Sequence, residues 1–228
     1  MPEPTLITLT AADADRIVEL ERRSFIPCLQ ATTETVLKRF RLGHYMFGLE
    51  HEGRLVGMVS FCYGHFDPSE RESFPKTVKE LCLQVVPKEY NAVYIYNLEV
   101  EPEHRGRRNA TLFIRAAMKK AKEDGCIQAV ANARIPSYAG SRPEDRQENI
   151  SLQPALKAAI DRHLAGGPFP TTDELLLDPL LSLYHHVSGC EFIWIIPDMA
   201  PEDIATGGIR VIAWLDMAEW SPQDASQQ

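Results

Sequence analysis

Several things are scarce in this 228-residue sequence, and each absence excludes a class of protein. No apolar run approaches the roughly 20 residues that span a bilayer, so no membrane-spanning helix is expected. The start, Met1-Pro2-Glu3-Pro4, has neither a basic nor an apolar signal region, so a secretory peptide is not expected. Cysteine is limited to five residues, Cys28, Cys62, Cys82, Cys126 and Cys190, odd in number and without a C-x-x-C pair. That pattern argues against a disulfide framework or a structural zinc site and fits a reducing cytoplasm. Basic side chains are outnumbered, 24 against 32 acidic, for a net charge of −8. A general nucleic-acid binder would need a basic stripe, so that class is not expected either. There is no internal repeat, no G-x-x-x-x-G-K-[ST], and no G-x-G-x-x-G after the first strand. What is present, 44% hydrophobic and 25% charged residues, suffices for a core without staples. The length allows one large domain or two small ones.

The pattern along the chain is mixed. Residues 6–9 form a short strand, and Thr10 with Asp13 makes a capping box for a helix carrying Ile17, Leu20 and Phe25. A second helix over 33–42 turns Val36, Leu37 and Phe40 inward. Strands at 45–50 and 55–63 flank Gly53 and read as a hairpin. Thr77 and Glu80 cap a short helix in the less regular stretch 66–92. Residues 92–100 are a strand of β-branched and aromatic residues. A loop at 103–108 then leads to a helix with Ala110, Phe113, Ile114, Ala117, Met118 and Ala121 at helical spacing. Gly125 stops that helix, and 127–133 form a second buried strand, completing a βαβ-like unit. Polar and proline-containing sequence follows, with one helix at 151–164. The chain closes with a helix at 178–187, strands at 191–196 and 208–217, and a frayed tail at 221–228.

The loop Val100-Glu101-Pro102-Glu103-His104-Arg105-Gly106-Arg107-Arg108-Asn109-Ala110 carries the chemistry. A strand delivers it to a helix N-terminus, where free backbone N–H groups and the positive end of the dipole favour an anion. Three arginines surround that end and Gly106 permits close backbone approach, so a pyrophosphate suits it. The plain alternative is a solvated basic turn.

This segment resembles the acetyl-CoA signature of the GNAT acetyltransferase superfamily, V-x-P-x-x-[RQ]-x-x-G-x-[GA]. Val100, Pro102, Arg105 and Ala110 match, and Gly106 matches a frequent glycine after the arginine. The element order agrees over roughly residues 5–220. The resemblance implies a single α/β (α+β) domain over 1–220 with a mixed, mostly antiparallel twisted sheet flanked by helices and split near 97–100. One departure is Arg108 where the pattern has its central glycine. Either the position needs a positive φ and a side chain is costly, or Arg108 points outward and adds charge opposite a phosphate. The stretches 132–138 and 178–189, with an insertion at 135–178, are similar to a subgroup of GNAT domains found alone or beside carbon–nitrogen hydrolase domains. That insertion is expected to be a mobile lid near the substrate.

The resemblance further implies acetyl transfer from acetyl-CoA, as co-substrate, to a primary amine of a small molecule or protein, by a monomer or homodimer in the cytoplasm. The backbone at Leu98, Glu99 and Val100 would open at a bulge to take the pantetheine arm. Arg105, Gly106, Arg107, Arg108, Asn109 and Ala110 would hold the phosphates, with Asn132 also on the cofactor. Glu99 is the candidate general base, its plain alternative being a strand-edge carboxylate. For the acid, family members place a tyrosine four residues before a Gly-Phe pair. Here Gly189-Cys190 stands there, His185 takes the tyrosine position and Tyr184 precedes it. The two diverge by about 100° on a helix, so one faces the site; a phenol is favoured because it stays protonated at neutral pH. His185, His186 and Cys190 do not make a convincing metal site, and none is expected. The rival reading is a non-catalytic acyl-CoA-binding module that kept the fold.

Overall fold

Seven strands with β-branched and aromatic cores pair into one sheet: β1 (Thr5–Thr8), β2 (Tyr45–His51), β3 (Arg54–Gly64), β4 (Ala92–Val100), β5 (Gln128–Ala133), β6 (Glu191–Ile196) and β7 (Arg210–Asp216). This is a computed structural model. It describes residues 3–106, 108–139, 151–203, 206–218 and 220–221, apart from the side chain of Ser73. The strand order is β1-β2-β3-β4-β5-β7-β6, and only β4 and β5 run parallel. The mixed, mostly antiparallel sheet expected from the sequence is therefore the observed one. Between β2 and β3 the turn residues Glu52 and Gly53 both have positive φ, 52° and 77°. That pair of left-handed residues matches the twist of a two-residue hairpin.

Helices cover both faces. On one side α1 (Ala14–Ser24) and α2 (Thr33–Arg41) bury Ile17, Leu20 and Val36 against Met46, Leu55 and Met58. On the other, α4 (Asn109–Glu123) lays Phe113, Ile114, Ala117 and Met118 on Val59, Val93 and Ile95. A single turn of helix, α3 (Val78–Leu81), precedes β4 and is capped by Thr77. Phe113 is fully buried, so Phe113→Ala should cost about 3–5 kcal/mol in urea denaturation.

In its described part the insertion packs on the sheet's core. Helix α5 (Pro154–Leu164) places Leu156 and Ile160 in the same core as α4. The short α6 (Thr172–Leu175), absent from the sequence reading, is closed by a Thr171–Glu174 capping box. Helix α7 (Pro179–Ser188) is capped by buried Asp178, which also accepts the Ser137 N–H at 2.9 Å and so ties the two ends of the insertion together. Residues 140–150, with Arg142, Glu144, Asp145 and Arg146, lie outside the described residues, as do Arg107 and the expected tail from 222. Among the described residues no helix is long and apolar enough to cross a membrane.

Candidate active site

The parallel pairing of β4 with β5 runs from Ala92↔Gln128 to Ile95↔Ala131 and stops, although both strands continue. On its other side β4 stays paired with β3 as far as Gly57↔Val100. Only the β5-facing edge of β4 opens, leaving backbone donors and acceptors there. Gly57 permits the tight β3–β4 contact, because a Cβ would sit 2.9 Å from the Glu99 carbonyl oxygen. The opening begins at Tyr96, slightly before the expected 97–100. The bulge lies there too, between the pairs Ser60↔Asn97 and Phe61↔Ile95, rather than within 98–100. An extra residue in one strand re-aims its neighbours. Consecutive Tyr96 and Asn97 consequently line one cavity, while Leu98 and Val100 pack on the α4 side.

At the end of β4 the chain makes a short turn, Pro102–His104, and enters α4. Arg105 Nε donates to the Val100 carbonyl at 2.9 Å, and Asn109 Nδ2 donates to the His104 carbonyl at 2.9 Å, which fixes the loop from both ends. Gly106 has φ 76° and Arg108 has φ 60°, ψ 12°. The signature's glycine position does require the left-handed region, and Arg108 adopts it at a cost of about 1–2 kcal/mol. Its side chain is exposed. Arg108 at the N-cap makes no side-chain cap and, among the described residues, no acidic residue lies in the first turn, so the N–H groups and dipole there suit an anion. Half-buried Ala110 sits in that turn. Arg108→Gly should relieve the strain, partly offset by a more flexible unfolded chain, for a net gain of up to about 1 kcal/mol by thermal melting.

On the α1–α2 face a cavity of about 100 Å³ meets the opening. Glu21 and Arg39 enter it from the helices, Tyr96 and Asn97 from β4, Asn132 and Arg134 from either side of the end of β5, and Arg210 from β7. Tyr96 Oη donates to His44 Nδ1 at 2.8 Å, and His44 Nε2 donates to the Gln84 carbonyl at 2.8 Å. Burial lowers the His44 pKa, consistent with that neutral tautomer. Glu21 accepts the Ala31 N–H and pairs with Arg39 at 3.5 Å. Arg134 and Arg210 converge on buried Asp203, each at 2.8 Å.

The profile of the Acetyltransferase (GNAT) family matches residues 14–139, more than half of the chain. The protein belongs to the GNAT family. Its members are acyl-CoA N-acyltransferases. Among solved structures it is similar to the loading GNATL domain of CurA from Lyngbya majuscula, at 19% identity over 95% of this chain and 98% of that one, TM-score 0.72. It is also similar to the GphF GNAT-like decarboxylase, solved in complex with isobutyryl-CoA, at 21% identity over 93% and 99%, TM-score 0.68. A third is yncA from Salmonella typhimurium, solved with its cofactor acetyl-CoA, at 15% identity over 98% and 99%, TM-score 0.53. At these identities the likeness establishes the fold. Comparison with curated protein sequences finds no match.

Within this GNAT fold the expected site residues separate. Glu99 is 4% exposed and neither carboxyl oxygen has a hydrogen-bond partner. Burial first, and then the charge of Glu21, push its pKa well above the ordinary 4.5, which favours the neutral acid. It is not among the residues lining the cavity, where Glu21 is the carboxylate instead. A raised folded pKa favours folding while the carboxyl is protonated in both states, and this is lost as pH rises above about 4.5. Glu99→Gln should therefore show a stability advantage that grows from pH 5 to pH 8 and vanishes near pH 4, read by denaturation across pH. Tyr184 is buried beside Ile95, Ala131 and Cys190, facing the paired part of β4 and β5, and burial raises its phenol pKa. His185 faces away, into an outer cleft of about 480 Å³ with Arg115 and Trp220, and its Nδ1 lies 2.8 Å from the Cys190 carbonyl. The two side chains diverge as helical geometry requires, with Tyr184 on the sheet side.

Asn132 lines the cavity, and its Oδ1 is buried without a hydrogen-bond partner among the described residues. Glu101, Glu103 and His104 come within 4.8 Å of one another, but Arg23 and Arg54 already hold Glu101 at 2.5 and 2.7 Å. Glu21, Arg39, Asn97, Asp203 and Arg210 were missed by sequence reasoning. The one visible signal was Asn97, an uncharged polar residue that breaks an apolar strand.

Proposed function

We propose that the protein transfers an acetyl group from acetyl-CoA to a primary amine by direct attack. The observation that carries this reading is the one-sided opening of β4 beyond Ile95, which ends at the uncapped, arginine-flanked start of α4. A thioester arm along that edge meets free backbone N–H groups able to stabilise a tetrahedral oxyanion. The phosphates lie at Gly106, Asn109 and Ala110. The amine enters from the cavity, and Glu21 accepts its proton. Burial raises the Glu21 pKa, which makes it a stronger base than an exposed carboxylate. The amine nitrogen bonds to the carbonyl carbon, the carbon–sulfur bond breaks, and Tyr184 protonates the departing thiolate before recovering a proton from solvent. In this reading Glu21 takes the base role first assigned to Glu99, and His185 has no part in the chemistry.

A second reading, a non-catalytic acyl-CoA-binding module, draws on the burial of Glu99, whose carboxyl oxygens have no hydrogen-bond partner and whose pKa is raised. Thiol release from acetyl-CoA, followed with and without an amine, separates the two. The transfer reading predicts amine-dependent release and an acetylated product by mass spectrometry. Binding of acetyl-CoA with no amine-dependent release supports the module.

A further inference from the structure

We infer that the acceptor is a small amine that also carries a carboxylate, held by Arg39 in the cavity on the α1–α2 face. This rests on the transfer reading for its chemistry, while the recognition argument stands on the cavity itself. Arg39 has a side-chain exposure of 11%, yet its Nε has no hydrogen-bond partner and its Nη1 has only a long ion pair to Glu21, 3.5 Å away. Buried charged donors without partners are costly, and a ligand that satisfies them gains that energy on binding. The other two arginines of the lining donate to Asp203, whereas the Arg39 Nε is buried without a hydrogen-bond partner.

The ion pairs point the same way. Of the three arginines in the lining, Arg134 and Arg210 share the Asp203 carboxylate at 2.8 Å, whereas Arg39 faces Glu21 at the longer 3.5 Å. Arg39 is also held in place, its guanidinium 5.6 Å from the Tyr96 ring centre, so a carboxylate meets an already oriented partner. The opposite end of a zwitterion is provided for as well. Asn132 Oδ1 is a buried acceptor without a donor, and the Glu21 carboxylate is close to Arg39, so an ammonium finds two acceptors before it is deprotonated. Phe25, Leu29, Val78 and Cys82 close the remaining wall and leave about 100 Å³, room for a small amino-acid head group rather than a bulky base or sugar.

The test compares glycine, L-alanine and L-serine with their carboxamides, which keep the amine and lose the carboxylate. Direct binding is measured calorimetrically with CoA present, and turnover by thiol release from acetyl-CoA. The expected result is tighter binding of each carboxylate by about 10- to 100-fold, the scale of a charged hydrogen bond. In Arg39→Gln and Arg39→Lys that ratio should fall towards one. Carboxylate and carboxamide that bind equally, or that both fail to bind at millimolar concentration, overturn the proposal even if Arg39 variants do not fold. So does consumption of malonyl-CoA without any amine, which would place the carboxylate on the acyl group instead. Carboxylate-selective binding with no acetylated product would leave the recognition standing and remove the transfer reading. Acetylation of carboxamides alone would do the reverse.

Discussion

Replacing Tyr184 with phenylalanine lowers kcat for thiol release by about 100-fold or more, the usual contribution of a positioned general acid. The KM for acetyl-CoA should change little, because in the proposed reaction the hydroxyl acts on the leaving thiolate and not on the bound nucleotide. Tyr184 packs between α7 and the sheet, and its ring, which supplies that packing, is kept in the variant. Melting temperature should therefore stay close to that of the parent. His185→Ala provides the contrast. Its ring faces the outer cleft and bonds the Cys190 carbonyl, so its loss should weaken the end of α7 while kcat remains within about threefold. Steady-state kinetics on both variants decides the point. A large kcat loss in His185→Ala with none in Tyr184→Phe would reverse the assignment.

Asp203→Ala should destabilise the fold by about 3–5 kcal/mol, because it removes the one carboxylate on which the Arg134 and Arg210 guanidinium groups converge in a buried cluster. Asp203 is fully buried and accepts from Arg134 through Nε and Nη2, at 2.8 and 3.1 Å, and from Arg210 through Nη2. Arg210 has a side-chain exposure of 4% and, among the described residues, the Thr206 hydroxyl and the Ile209 carbonyl as further hydrogen-bond partners. The pair of arginines holds the Asp203 pKa below its usual range despite burial. The stabilisation is therefore present above about pH 4 and lost as pH falls through the depressed pKa. Urea denaturation at pH 7 should show the full cost, and the gap between parent and variant should narrow towards pH 3. A loss below about 1 kcal/mol at pH 7 would mean that the cluster is reached by water.

The β4–α4–β5 unit was legible because each part carried a local signal. These were an apolar β-branched strand, a glycine at Gly125 with φ 93°, and a helix whose apolar residues recur on one face. The arginine loop was legible for the same reason, and so was the core role of Phe113 and Met118. The backbone state of Arg108 was not, since both outcomes were compatible with the same letters; the left-handed φ resolves it. The cavity was hidden more deeply. Glu21 and Arg39 belong to amphipathic helices on which charged residues ordinarily face water, and Asp203 lies in a stretch without periodicity. Their meeting depends on how α1 and α2 pack on the sheet, a long-range fact. Glu99 shows the limit most clearly. Its position in the strand was read correctly, but its raised pKa follows from burial and from the charge of Glu21, 78 positions earlier in the chain.

A crystal structure with acetyl-CoA tests the central claim most directly, namely that the opened edge of β4 is the acyl-CoA groove and the arginine-lined cavity its acceptor side. The account predicts the pantetheine arm along residues 96–100 and the pyrophosphate on the N–H groups of Asn109 and Ala110. It further predicts the thioester between Tyr184 on one face of the sheet and Asn97 on the other. A nucleotide seated in the outer cleft beside His185 and Arg115, with the edge of β4 left open, would contradict it.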